Sequence, residues 1–216
     1  MKNLLENRII IISGPYGTGK TNIAVNLAEY VVKTGKKACI VDFDIVNPYF
    51  RSADNVEELK KIGVRPIIPE FANTNVELPI FPKEYYSIFS TDEYSIVDVG
   101  GDAYGAVALA VDHDKYEDCS YSMYYVYNFY RPMTSKPKDA NLMLKQIENT
   151  SHLRFSGIIN NSNLGTETTV EDVKNSVPYA KEFAELSGLP LMLTTALGSL
   201  RVEGAYPIEN KTKKYF

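Results

Sequence analysis

A glycine-rich run near the start of the sequence has the composition and spacing of a phosphate-binding loop. Residues 14–21, GPYGTGKT, fit the pattern G-x-x-x-x-G-K-[ST] at every fixed position. Glycines let backbone N–H groups turn inward, and these donors combine with a helix N-terminus to cradle an anion. In such a loop Lys20 reaches the terminal phosphates of a nucleotide, and the Thr21 hydroxyl ligates Mg²⁺. The predicted nucleotide contacts of the loop are Gly14, Pro15, Tyr16, Gly17, Thr18, Gly19, Lys20, Thr21 and Asn22.

Acidic residues follow two other apolar segments and are suited to complete a magnesium site. Asp98 ends the apolar run SIVD and precedes two glycines, a pattern typical of an acid that holds Mg²⁺ through water. Asp42 and Asp44 lie two residues apart and therefore share one side of an extended segment. We expect Thr21, Asp42 and Asp98 to hold the metal, and Lys20 and Asp44 to serve catalysis, with Asp44 orienting the attacking water. The alternative for each acid is a solvated position at a strand end.

The elements that must position these residues alternate between strands and helices. Short apolar, β-branched runs predict strands, and amphipathic segments predict helices. The predicted strands cover residues 8–12, 37–43, 64–68, 94–101, 119–130, 154–161 and 189–197, and the predicted helices cover 21–35, 136–150 and 169–187. This alternation predicts the α/β class, as a three-layer α/β/α P-loop NTPase fold with a mostly parallel sheet.

The remaining segments have weaker patterns. We expect a single nucleotide-binding domain over residues 1–216, with an irregular insertion or connection at 69–93 and a C-terminal tail at 198–216. Ser135 is expected to cap the second predicted helix, and Pro178 to disturb the third.

Composition limits the classes of function. The chain of 216 residues is 44% hydrophobic and has a net charge of -4, which argues against general electrostatic binding of nucleic acid. No run approaches the roughly 20 apolar residues of a membrane span, and the N-terminus does not resemble a secretory signal. The two cysteines and two histidines are spread along the chain and predict no zinc or iron–sulfur site within it. We expect a soluble, cytoplasmic protein.

Tyrosine is concentrated between residues 116 and 130, where six of the sixteen tyrosines lie. One interpretation is a surface for a partner or a second copy, since tyrosine is enriched at interfaces. The other, which the apolar context favours, is a strand with aromatic side chains on both buried faces.

Taken in order, these segments resemble the MinD/ParA group of ATPases (the CobQ/CobB/MinD/ParA nucleotide-binding family). The match begins with the phosphate loop, continues through the acid pair IVDFD and the strand SIVDVGG, and extends to NFYRPMTSKPKD, GIINNSNLG and SGLPLMLTTAL. The resemblance implies a Mg²⁺-dependent protein that binds ATP or ADP, forms a homodimer around the nucleotide and acts as a slow ATPase switch for a protein partner. It also implies that Asn160 or Asn161 contacts the base.

The sequence departs from this family at Pro15. The family typically has a signature lysine there, four residues before the last glycine of the loop, which reaches the phosphates of the partner subunit. Proline has neither a charge nor an N–H donor, so this position supplies no cation. Arg51 and Arg131 are the candidates to replace it.

Two other families have similar loops. Dethiobiotin-synthetase-like ligases share the fold class and use ATP to activate a small molecule, and residues 69–93 are candidates to line such a pocket. The GTP-dependent factors that insert nickel into hydrogenase and urease read guanine with N-K-x-D. At the matching strand end this chain has the residues NNSN, which lack the lysine and the acid, so adenine is favoured.

Overall fold

The computed structural model describes residues 1–43, 53–68, 82–101 and 103–211. Its strands are β1 (Ile9–Ser13), β2 (Ala38–Phe43), β3 (Val64–Ile67), β4 (Tyr94–Val99), β5 (Tyr121–Tyr127), β6 (Gly157–Asn160), β7 (Leu191–Leu197) and β8 (Ala205–Ile208). Its helices are α1 (Lys20–Lys33), α2 (Ala53–Lys61), α3 (Lys83–Tyr86), α4 (Ala103–Val111), α5 (His113–Cys119), α6 (Pro137–Ser151) and α7 (Val170–Ser187).

The strands form one sheet in the order β3-β2-β4-β1-β5-β6-β7-β8, and every neighbouring pair is parallel. The order reverses on the two sides of β1, as in doubly wound sheets, where ligands collect at the carboxyl ends of the central strands. The phosphate loop follows β1 directly, so the topology places it at that edge of the sheet.

Alternate residues of the central strands pack on opposite faces of the sheet. In β1, Ile9 and Ile11 belong to one apolar cluster, whereas Ile10 and Ile12 belong to the other. The first cluster also contains residues of α3 to α7, and the second contains residues of α1 and α2. Helices therefore cover both faces, which confirms the predicted three-layer α/β/α architecture.

The seven predicted strands are all present, and the predicted third strand, β3, lies at an edge of the sheet. Tyr124 and Tyr125 of β5 are buried on opposite faces, in agreement with the second interpretation of the tyrosine-rich segment. Helices α2, α4 and α5 occupy regions for which the sequence patterns predicted none, and α3 lies within the segment 69–93 that was expected to be irregular.

Three finer predictions are wrong. The expected C-terminal tail contains β8, which pairs with β7. The residue that caps α6 is Lys136 rather than Ser135, because Pro137 occupies the first helical position and Ser135 donates its hydroxyl hydrogen bond to the Pro132 carbonyl. Helix α7 continues through Pro178, since a capping box at its start and a buried face stabilise the helix on both sides of the proline.

Candidate functional site

The phosphate loop connects β1 to α1 through glycines in conformations that other residues rarely adopt. Gly14, Gly17 and Gly19 have φ angles of 138°, 77° and 87°. A Cβ atom at Gly14 would lie 2.7 Å from the carbonyl oxygen of Val126, and one at Gly19 would lie 2.4 Å from Nδ2 of Asn161. The loop therefore needs glycine both for its backbone path and for its close approach to β5 and to the end of β6.

Pro15 contributes its carbonyl group to the loop. The Pro15 oxygen accepts hydrogen bonds from the Thr18 hydroxyl at 2.9 Å and from Nζ of Lys20 at 3.1 Å. Lys20, at the first position of α1, is 94% buried by these neighbours, with only 6% of its surface exposed. The lysine is thus held against the loop, in the position from which it can turn to a phosphate.

The end of β4 packs against the same part of the loop. A Cβ atom at Gly101 would lie 2.4 Å from the backbone nitrogen of Tyr16 and 2.8 Å from the carbonyl carbon of Pro15. Only glycine permits this contact, while the Tyr16 side chain points outward and is 67% exposed. The glycine segment after Asp98 is therefore in direct backbone contact with the phosphate loop.

The predicted metal ligands lie on adjacent strands and in the first turn of α1. Asp42 and Asp98 are both buried and are paired across β2 and β4 in the parallel register. Asp98 also pairs with Ile12, two residues before the phosphate loop begins. Two carboxylates and the Thr21 hydroxyl form the hard-oxygen donor set that Mg²⁺ prefers, so the residues present fit this ion. The predicted water-orienting residue, Asp44, lies outside the described residues, as does Arg51.

The two asparagines at the end of β6 have different surroundings. Asn161 donates to the Thr18 carbonyl at 2.8 Å and accepts from the Thr195 hydroxyl at 2.6 Å, so it joins the phosphate loop to β7. Asn160 is fully buried, and its amide nitrogen donates to the hydroxyls of Ser176 and Thr194.

The carbonyl oxygen of the Asn160 side chain accepts from the backbone and the hydroxyl of Ser162. These four hydrogen bonds use both donors and both acceptor positions of the amide. The amide of Asn160 is therefore fully occupied by neighbours, and of the two predicted asparagines Asn161 is the one that lies beside the phosphate loop.

A cavity of about 330 Å³ extends from the phosphate loop across the ends of β6 and β7. Gly17 and Gly19 of the loop and Asn22 of α1 line it together with residues 161–165 and 195–197. Among the described residues that line the cavity, none is acidic. The cavity is therefore continuous with the phosphate cradle and offers amides, hydroxyls and apolar side chains beyond it.

Tyr130 and Arg131, in the loop between β5 and α6, form a further wall of the cavity. The Tyr130 hydroxyl donates to the carbonyl oxygen of Asp172 at 2.8 Å. Burial and, to a lesser degree, the nearby Asp172 charge raise the pKa of the Tyr130 hydroxyl. Nε of Arg131 donates to the Gly17 carbonyl at 2.8 Å.

The last residue of β8 and the segment after it form another part of the cavity wall. Ile208 and Asn210 line the cavity, and the backbone of Lys211 donates to Oδ1 of Asn22 at 2.7 Å. One turn along α1, Asn26 exchanges two hydrogen bonds with the backbone of Glu209, at 2.8 and 2.9 Å. Two asparagines of α1 thus hold residues 209–211 over the cavity.

The sequence patterns did not identify this last wall. The polar run NNSN at the end of β6 and the segment SGLPLMLTTAL were usable signals for residues 161–163 and for Thr195, whereas Asn210 lies in a segment with no functional pattern. Within the described ranges, no cluster of three or more histidine, cysteine or acidic residues could hold a metal ion. In the same part of the chain, no helix is long and apolar enough to cross a membrane.

A glycine-rich loop between a buried strand and a helix, with buried acids on the neighbouring strands, defines the class of P-loop nucleotide-binding proteins. The family model of the CobQ/CobB/MinD/ParA nucleotide binding domain matches residues 9–187. The chain belongs to this family.

Several known proteins are similar to parts of the chain. An iron–sulfur cluster carrier protein from Methanocaldococcus jannaschii is 34% identical over 68 residues, which cover 30% of this chain and 23% of that protein. The cell division protein FtsY from Thermotoga maritima has a TM-score of 0.57 at 18% identity and covers 97% of this chain and 68% of its own. FlhF complexed with GTP and Mg²⁺ has a TM-score of 0.54 at 14% identity, over 90% of this chain and 67% of its own. At these identities the two structures support the fold alone.

Proposed function

We propose that this protein binds ATP with Mg²⁺, hydrolyses it slowly and acts as a nucleotide-dependent switch for a protein partner. The observation that carries the proposal is the cavity that opens from the phosphate loop and continues across the ends of β6 and β7. The wall formed by the phosphate loop and Arg131 is suited to phosphates, because it offers backbone donors and a charged side chain. The wall formed by residues 162–165 and 195–197 is suited to a nucleoside, because it offers polar and apolar groups.

Each part of the site has a role in this proposal. Lys20 leaves the Pro15 carbonyl and binds the terminal phosphates, and the backbone N–H groups of the loop bind the remainder. Thr21, Asp42 and Asp98 hold Mg²⁺, which neutralises charge on the phosphates when it is bound. Asp44 orients the attacking water.

The lining of the cavity supports adenine over guanine. Guanine presents donors at N1 and N2 that a carboxylate accepts well, and no acidic side chain lies among the described residues of the cavity wall. Asn161 and the polar groups after it can donate to and accept from the base, and Leu164 and Leu197 provide apolar contact.

Slow turnover is proposed because Pro15 supplies no cation to the phosphates. A switch needs the bound nucleotide to alter a surface, and the contact of Gly101 with Tyr16 offers a connection from the phosphate loop to the segment that precedes α4. A homodimer around the nucleotide is part of the proposal and rests on the family to which the chain belongs.

Thermal unfolding with and without nucleotide tests the proposal. We expect ATP with Mg²⁺ to raise the melting temperature of the wild type, by an amount that increases with ATP concentration. Lys20→Ala should abolish the shift, because the phosphate contact is lost. Lys138→Ala, at an exposed position of α6, is the matched control and should keep the shift.

Other outcomes would overturn parts of the proposal. If neither ATP nor GTP shifts the melting temperature of the wild type, nucleotide binding is wrong. A shift with GTP alone would reverse the choice of base. Stoichiometric phosphate release that requires an organic acid or amine would identify a ligase instead of a switch.

A further inference from the structure

The guanidinium group of Arg131 lies directly against the phosphate loop. Its Nε donates to the carbonyl of Gly17 at 2.8 Å, and a Cβ atom at Gly17 would lie 3.3 Å from that nitrogen and 3.4 Å from Cζ. Gly17 is in the middle of the loop and, like Arg131, lines the cavity that begins there. The arginine therefore stands at the phosphate end of the cavity.

The charge of Arg131 is not neutralised within the described part of the chain. Arg65 pairs with Glu93 and Arg154 pairs with Glu148. Among the described residues, no carboxylate forms an ion pair with Arg131, whose side chain is exposed and forms its hydrogen bond with the neutral Gly17 carbonyl. This bond uses the Nε–H donor of the guanidinium group. The N–H groups of its two terminal nitrogens remain, and their planar arrangement suits phosphate oxygens.

The backbone that carries Arg131 is fixed by a compact turn. The Arg131 nitrogen donates to the Asn128 carbonyl at 3.2 Å, and the Arg131 carbonyl accepts from the Thr134 nitrogen at 2.9 Å. The Asn128 side chain in turn donates to the Asn163 carbonyl at 3.1 Å, which ties the turn to the loop after β6. A cation on such a turn is positioned before any ligand arrives, which is the condition for strong electrostatic stabilisation.

We propose that Arg131 binds the phosphates of the nucleotide held by its own subunit. It thereby supplies in cis the positive charge that Pro15 does not provide. The inference rests on the proposed function, because it requires a nucleotide in the phosphate loop. It differs from a cation donated across a dimer, since the guanidinium already contacts the loop of the same chain.

Nucleotide affinity and turnover of Arg131→Ala test the inference. With a fluorescent ATP analogue and Mg²⁺, we expect the Kd to rise about tenfold or more and kcat for ATP to fall about a hundredfold, as for the loss of one preorganised donor. Arg131→Lys should have a Kd and a kcat between those of Arg131→Ala and the wild type, because lysine keeps the charge but not the planar guanidinium group. Arg154→Ala removes an exposed arginine remote from the cavity and should leave both values unchanged.

A mixing experiment separates action in cis from action in trans. Lys20→Ala subunits retain Arg131 but lack the phosphate-binding lysine, whereas Arg131→Ala subunits retain the lysine. If Arg131 acts in cis, an equimolar mixture shows no more turnover than the two variants measured separately. If the mixture recovers turnover, Arg131 acts across a dimer and the inference is wrong.

The wild type distinguishes this inference from the proposed function. If the wild type binds no nucleotide, the proposed function fails and the inference fails with it. If the wild type binds ATP and Arg131→Ala binds and hydrolyses it equally well, only the inference is overturned. Circular dichroism of each variant verifies that an altered Kd is not caused by a lost fold.

Discussion

At the scale of single residues, the two neighbouring asparagines at the end of β6, Asn160 and Asn161, have different roles. Asn161 joins Thr18 of the phosphate loop to Thr195 of β7, and its amide lies 2.8 Å from the Thr18 carbonyl. Asn160 joins β6 to Ser176 of α7 and to Thr194. The first set of contacts positions the nucleotide cradle, and the second set closes a buried polar network.

Alanine substitutions should separate these roles. Asn161→Ala should weaken binding of ATP about tenfold and cost about 1–2 kcal/mol of stability, since it releases the loop and removes two buried hydrogen bonds. Asn160→Ala should cost about 2–3 kcal/mol because it leaves buried hydroxyls unsatisfied, with a smaller change in affinity. Urea unfolding and nucleotide titration of both variants give the comparison. A larger loss of affinity in Asn160→Ala would show that the assignment is reversed.

The phosphate loop could be predicted from the sequence because its spacing is fixed by the geometry of one turn. The division between Asn160 and Asn161 could not, because it depends on which face of β6 each side chain occupies and on partners that are distant in the sequence. Pro15 and Arg131 also differ in how much the sequence reveals about them. The sequence shows that Pro15 carries no charge, but only the fold shows that Arg131 lies beside Gly17.

At the scale of elements, strand β8 and residues 209–211 connect the C-terminal part of the chain to α1. Asn26 on α1 both donates to and accepts from the Glu209 backbone. Lys211 forms ion pairs with Glu29 and Glu209, while Asn210 lines the cavity. This segment acts as a wall whose position depends on a few surface hydrogen bonds.

We expect Asn26→Ala to loosen this wall and weaken nucleotide binding several-fold. The stability cost should be small, about 1 kcal/mol, because the bonds lost are at the surface. Hydrogen exchange of residues 205–211 should become faster in the variant, and ATP with Mg²⁺ should slow it in the wild type.

Asn7→Ala is the matched control for this prediction. Asn7 also donates two hydrogen bonds, to the Tyr121 carbonyl and the Ser122 hydroxyl, but at the start of β5. Its loss should lower stability without changing the affinity for ATP. Equal affinities of Asn26→Ala and the wild type would show that the segment after β8 takes no part in the site.

The strands were predictable because a strand buried on both faces is a short apolar run whatever its neighbours are. Helix α4 was missed because Ala103–Val111 contains no charged residue and so has no polar face from which a helical period can be recognised. Strand β8 was missed because its four residues, AYPI, include Pro207 and a single β-branched residue, whereas the predicted third strand, which also contains a proline, includes Val64, Ile67 and Ile68. Its place is determined by β7, which the local sequence does not reveal.

At the scale of the whole molecule, buried tyrosines make up much of the core on one face of the sheet. Tyr85 and Tyr116 are fully buried, and their hydroxyls lie 3.1 Å apart. Tyr125 and Tyr127 of β5 pack edge-on or tilted against the Phe183 ring of α7. Burial, above all, raises the pKa of each of these four hydroxyls above the ordinary value for tyrosine. Burial also raises the pKa of the Cys39 thiol to about 11.

These shifts predict that stability falls at alkaline pH. A raised pKa means that the native state keeps its proton where the unfolded chain loses it, so the unfolded state binds fewer protons and gains relative stability as pH rises. The contribution is fully present below the unfolded pKa values, about 8.5 for cysteine and about 10 for tyrosine. It decreases as pH rises from there toward the folded values. We therefore expect the free energy of unfolding to fall steadily above about pH 9.

Urea unfolding at a series of alkaline pH values measures this dependence, with tyrosinate absorbance recorded on the same samples. The buried tyrosines should ionise only together with unfolding. Tyr116→Phe keeps the ring and removes one shifted hydroxyl, so its stability should depend less steeply on pH. Tyr16→Phe, which removes an exposed hydroxyl, is the matched control. If the buried tyrosines ionise near the ordinary pKa of tyrosine with the circular dichroism spectrum unchanged, the tyrosine core is not protected from solvent as described.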